Sequence, residues 1–161
     1  MDRRSLYDED VYAWAKQQAD ALRRLARGRD LPNELDLENV AEEIEDVGKS
    51  ELSKVESFIQ LTLVHLLKAA SVPQARAYRK WMIEVRVFRA ELLKSLTRAM
   101  RQNIDMDELW GLARLRAEAD LLDNGDEISP NLPGRSPFSL EDLTAGEFDF
   151  DAAVARIRPH P

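Results

Sequence analysis

Cysteine is absent from the 161 residues. That excludes disulfides, thiolate nucleophiles and cysteine-based zinc sites, and it suits a reducing, cytoplasmic compartment. Histidine is nearly absent too: of two, only His65 is internal. There are six glycines, and no phosphate-cradling loop, dinucleotide fingerprint or Gly-x-Ser-x-Gly elbow is built from them. No long apolar run occurs. The longest apolar-rich stretch, 58–70, is too short and too interrupted to span a bilayer, so no membrane association is expected. The opening MDRRSLYDED has no apolar core of a signal peptide. A net charge of −7 argues against general binding to nucleic acid or anionic lipid.

What remains is charge and helical periodicity. Charged residues make up 33% of the chain and hydrophobic ones 44%, the balance of a globular domain with a sizeable core. One stretch organises the rest, Asp36 to Ala70. At 100° per residue Leu37, Val40, Ala41, Ile44 and Val47 share a side with Val55, Phe58, Ile59, Leu66 and Ala69, so the stripe passes Gly48 without a change of phase. This predicts one long helix, capped by Asp36, with Glu38, Glu42 and Glu43 near its positive end and Pro73 beyond its stop. Two helices meeting near Gly48 is the alternative.

Three more helices are expected. The first runs from about Asp8 to Arg27, opened by a Ser5–Asp8 capping pair after a short arm at 1–7 and closed by Gly28. After the long helix and a tight turn at Pro73 comes one over about Ala75 to Gln102, with Tyr78, Trp81, Met82, Val85, Phe88, Leu92, Leu93, Leu96 and Met100 on its stripe. The fourth spans about Met106 to Leu122, with Leu109, Trp110, Leu112, Ala113, Leu115 and Leu121 as its apolar set. The expectation is an all-α, up-and-down helical bundle of about four main helices, one domain over 1–161. The bundle occupies about 8–123. The tail, about 124–161, is proline-rich and partly irregular, with a short helix at Ser139–Asp142 and another near FDFDAAVARIR before Pro159. Phe138, Phe148 and Phe150 are expected to pin it to the bundle.

Charge is segregated. Residues 34–51 hold eight acids and one base, whereas 76–101 hold eight bases and two acids. The simplest expectation is mutual neutralisation across the helical hairpin. The sharper one is a free basic stripe including Arg79, Arg86 and Arg98. Two further expectations concern residues inside apolar stripes. Glu51 and Arg89 are expected to interact, fixing helix register. His65 is expected near Lys80 and Trp81, either as a packed structural histidine or as a ligand or base with a nearby acid. The carboxylates at 42–46 point away from the stripe. The Glu-x-x-His pair of di-iron bundles is missing because Thr62 stands three before His65, so no metal site or cofactor is expected.

The runs YDEDVYAWAKQQADALR, LDLENVAEEIEDVGKSE and LVHLLK, followed by Trp81, resemble an uncharacterised bacterial family, the domain of unknown function twenty-nine. The resemblance implies a helical fold and no established activity. Asp36, Glu38, Asn39, Glu42, Glu43, Glu45, His65, Lys68 and Trp81 lie at positions matching its pattern; the proline-rich tail departs from it. The functional expectation is a non-enzymatic protein–protein interaction module with an unidentified protein partner or a second copy of itself. The alternative is a small helical enzyme, or a metal or small-ligand binder, centred on His65. The candidate binding residues are His65, Trp81, Glu51 and Arg89.

Overall fold

The computed structural model describes residues 5–28 and 30–158, so the start of the expected N-terminal arm and Pro159 lie outside the described residues. The protein is an all-α helical bundle. Its helices are α1 (Leu6–Glu9), α2 (Val11–Ala26), α3 (Leu37–Ser71), α4 (Tyr78–Ser95), α5 (Met106–Asp123), α6 (Leu140–Thr144) and α7 (Phe150–Ile157), with a 3-10 turn at Met100–Asn103. The backbone divides into two compact units, Met1–Val55 with Ser95–Ile104, and Glu56–Lys94 with Asp105–Pro161.

The predicted long helix is continuous: α3 has 35 residues, about 50 Å at 1.5 Å per residue. Asp36 caps it, accepting from the Asn39 N–H at 3.2 Å. Gly48 does more than survive inside the helix. A Cβ placed there would lie 3.1 Å from the Ala15 Cβ of α2. Ala15 and Ala19 are fully buried, so small residues on both helices permit a close approach. The inward side of this half is narrower than predicted. Leu37, Ala41 and Gly48 are buried, whereas Val40 and Val47 are 40% and 47% exposed.

Two predicted helices are broken, and one side chain accounts for both breaks. Asp10 leaves helical geometry (φ −153°, ψ 85°) and separates α1 from α2. Its carboxylate accepts from the Ala13 N–H at 2.9 Å, capping α2, and from the Ala99 N–H at 3.0 Å. The second bond comes just past the end of α4, which stops at Ser95 instead of continuing to Gln102. Burial is the largest single influence and would raise the Asp10 pKa; the hydrogen bonds to its carboxylate, those from the Ala13 and Ala99 N–H groups foremost, together hold it below the ordinary value.

In the second unit Thr62 to Ala70 of α3 are buried without interruption. α5 is capped by Asp105, whose carboxylate accepts from the Asp107 and Glu108 N–H groups, and ends where Gly125 adopts φ 79° and the Asp126 N–H reaches back to the Leu121 carbonyl. Its buried side is Leu109, Trp110, Ala113, Ala117 and Leu121. Leu112 and Leu115, expected in the core, are exposed. The tail is pinned as predicted through Phe138 and Phe150, both buried. Ser139 and Asp142 form the reciprocal capping box of α6. The Trp110 indole N–H donates to the Pro133 carbonyl at 2.9 Å. The Tyr78 hydroxyl donates to Asp151 at 2.6 Å, and burial with that acceptor pushes its pKa up to about 12.

The tail also claims Arg89. Its guanidinium donates to the carbonyls of Leu143 (2.8 Å) and Ala145 (2.5 Å), closing the end of α6, and stacks 4.3 Å from the centroid of Phe148. The partner expected for Arg89, Glu51, is therefore not the one it has. The two carbonyls and the ring hold the guanidinium against the tail, and the burial that results pushes its pKa down.

Two outcomes follow in urea unfolding. Gly48→Leu should cost about 1–3 kcal/mol through overpacking against Ala15. Arg89→Ala should cost about 2–3 kcal/mol through two lost charge-assisted bonds, with hydrogen exchange accelerated selectively over residues 140–157. Equal acceleration everywhere would contradict the pinning role.

Candidate functional site

The last three turns of α3 are surrounded by protein yet carry three polar side chains, each three residues from the next. Each of the three has a partner. The Thr62 hydroxyl donates back to the Phe58 carbonyl at 2.9 Å. His65 Nε2 lies 2.6 Å from Glu84 Oε2 on α4, with its ring edge-on to Phe88. Lys68 Nζ lies 3.2 Å from Asp120 Oδ2 on α5 and 5.1 Å over the ring of Trp81. Lys80 Nζ stands 3.8 Å from the other oxygen of Glu84. The cluster thus joins α3, α4 and α5 through alternating charge.

Its electrostatics follow from burial. Removing His65 from water lowers its pKa below the ordinary value; the bond to Glu84 only partly opposes this, and the nearby Lys68 charge adds to the lowering. At neutral pH the ring is uncharged, Nε2–H donates to Glu84, and Nδ1 keeps a lone pair. That atom is buried and has no hydrogen-bond partner. A carboxylate-oriented imidazole with a free lone pair is the arrangement of a general base. Here, however, Nδ1 is walled off from solvent. It is Lys68 and Trp81, not His65, that open onto a cavity of about 640 Å³, whose walls include Val72, Arg76, Lys80, Leu121 and Asp126.

Of the predicted site residues, the structure brings His65 and Trp81 into one neighbourhood through Lys68. Arg89 serves the tail, and Glu51 is half-buried on α3 in the other unit. Lys68, Glu84 and Asp120 complete the cluster. Lys68 had a signal in the sequence, a lone charge at the end of an apolar run. Glu84 and Asp120 had none, since their selection depends on the register of three helices. Among the described residues no group of three or more His, Asp or Glu side chains is placed to hold a metal ion. No described helix is long and apolar enough to cross a membrane.

The family model described as Domain of unknown function DUF29 matches residues 6–149. The chain belongs to the DUF29 family. It is also similar to an α-helical protein of unknown function from Rhodospirillum rubrum, whose crystal structure was determined at 1.45 Å resolution, with 37% sequence identity and a TM-score of 0.86. The similarity covers 98% of this chain and all of that one. No curated protein matches. Of the residues that the resemblance placed on the DUF29 pattern, Lys68 and Trp81 open onto this cavity, and His65 lies three residues before Lys68 on α3.

The His65 geometry has a pH consequence. A histidine with a lowered folded-state pKa binds more protons when unfolded, so its contribution is complete above the unfolded value near 6.5 and is lost as pH falls toward the folded value. Thermal unfolding between pH 7.5 and 5 should show a falling Tm, and His65→Leu should flatten that part of the slope. An unchanged slope in the variant would remove His65 as its source.

Proposed function

We propose that this DUF29 protein is a helical protein–protein interaction module. The supporting observation is a stripe on α5 that no part of the second unit covers. Leu112, Leu115 and Leu122 are 45%, 67% and 59% exposed. With exposed Ala119 they fall at i, i+3, i+7 and i+10, the 3-4-3 spacing into which a second helix packs its side chains. Scattered exposed leucines are ordinary; an uninterrupted row on one helix is a docking seam. Exposed Glu108, Glu118 and Asp123 flank the row against a single base, Arg116. The partner that fits is an amphipathic helix with an apolar stripe and basic flanks.

The test uses a fluorescent model peptide of leucine heptads with lysine flanks, read by anisotropy. Wild-type protein should bind it, and Leu112→Glu with Leu115→Glu should weaken binding by at least about tenfold, given the energy carried by central apolar anchors. A partner captured from lysate should be lost with the same variant. Equal binding by both proteins would overturn the assignment of the seam.

A second reading, a binder of a small anionic ligand, is favoured by the cavity beside Lys68, whose lining holds Lys68, Arg76 and Lys80 with Trp81. Inorganic phosphate should then raise the Tm of the wild type but not that of Lys68→Met.

A further inference from the structure

We infer that the outer face of α4 docks the N-terminal half of α3 from a second copy of this chain. The inference builds on the interaction reading and supplies a partner for a different surface. At 100° per residue Arg79, Ile83, Arg86, Val87 and Lys94 fall within an arc of roughly 100° on α4. All five are exposed, with Ile83 at 49% and Val87 at 56%. Arg79, Arg86 and Lys94 make no ion pair among the described residues, and the two acids of α4, Glu84 and Glu91, are half-buried outside this arc. The face is therefore cationic with an apolar centre.

The complementary surface is on the same molecule. Between Asp36 and Asp46 the chain has six acids and no base. On α3 exposed Val40 and Val47 stand seven residues apart, with exposed Glu43 between them, exposed Asp46 beyond it on one side, and exposed Glu42 farther round the same solvent-facing side. Two acids of this stretch are taken by bases of the same unit: Glu45 pairs with Arg23 at 2.7 Å, and Asp46 with Lys49 at 2.9 Å. Glu42 and Glu43 have no ion pair among the described residues. Each face thus keeps an excess of charge of one sign beside two aliphatic side chains, with Lys49 offsetting only part of the acidic excess, and the signs are opposite.

Charge complementarity with a matching apolar centre is what two surfaces need for oriented association. A chain carrying both faces meets its complement in every other copy. An anionic membrane is the competing occupant of α4, and a chain of net charge −7 is repelled from one.

Sedimentation equilibrium of the intact chain decides it. Wild-type mass should rise above the monomer with concentration at low salt and return to the monomer at high salt, where exposed charges are screened. Arg79→Glu with Arg86→Glu, and separately Glu42→Arg with Glu43→Arg, should each weaken association by at least about tenfold while leaving the circular dichroism helical. An equimolar mixture of the two variants should associate again, because each supplies the face the other has lost. Monomeric wild type at every concentration and salt overturns the inference, as does binding to phosphatidylglycerol vesicles that Arg79→Glu with Arg86→Glu abolishes while self-association persists. Self-association lost only on Leu112→Glu with Leu115→Glu would also overturn it and leave the α5 seam intact.

Discussion

The structure depends on nine consecutive buried residues of α3, Thr62 to Ala70. A helix buried on every side cannot be amphipathic, so its polar groups need partners supplied by neighbouring helices. Thr62 solves this locally, by bonding its own backbone. His65 and Lys68 cannot, and their needs select Glu84 of α4 and Asp120 of α5. Leaving the buried Lys68 ammonium unpaired costs several kcal/mol and leaving the buried His65 N–H without an acceptor about 1–3 kcal/mol, so these two pairs restrict the registers in which α4 and α5 can pack around α3. The apolar seams alone would tolerate slippage by a turn; the pairs do not. Trp81 reinforces the choice by placing its ring under the Lys68 cation.

This explains what was legible in the sequence. The phase of α3 through Gly48, the caps at Asp36 and Ser139, and the burial of Phe138 and Phe150 are local or periodic signals. They depend on residues within a few turns or on strong hydrophobicity. Gly48 could be seen as tolerated, but not as needed, because its reason is Ala15 on another helix. The end of α4 was illegible for the same reason: Asp10, 89 residues upstream of Ala99, takes the amide of the turn that follows. Arg89 was legible as an anomaly in an apolar stripe. Its partners were not, because two are backbone carbonyls of a tail that periodicity cannot place.

The outward faces were misjudged by averaging. A stripe fitted over a long helix assigns every nearby apolar residue to the core. Val40, Val47, Leu112 and Leu115 all lie at its margin or beyond, and all are exposed. These departures are the most informative part of the molecule. A buried leucine says only that a helix packs, whereas a row of exposed ones bordered by charge says where packing remains available. The segregation of acids and bases has the same character. Glu45 and Asp46 of α3 use Arg23 and Lys49, whereas Arg79, Arg86 and Lys94 on the exposed side of α4 make no ion pair among the described residues.

The central claim is that the polar-paired turns of α3 hold the second unit together. Native-state hydrogen exchange on peptides spanning residues 62–70 tests it most directly. These amides should be the last to exchange, with an opening free energy equal to that of global unfolding. Glu84→Ala or Asp120→Ala should lower that free energy there as much as it lowers global stability. Exchange over 62–70 as fast as over 37–47, or indifferent to either substitution, would contradict the account.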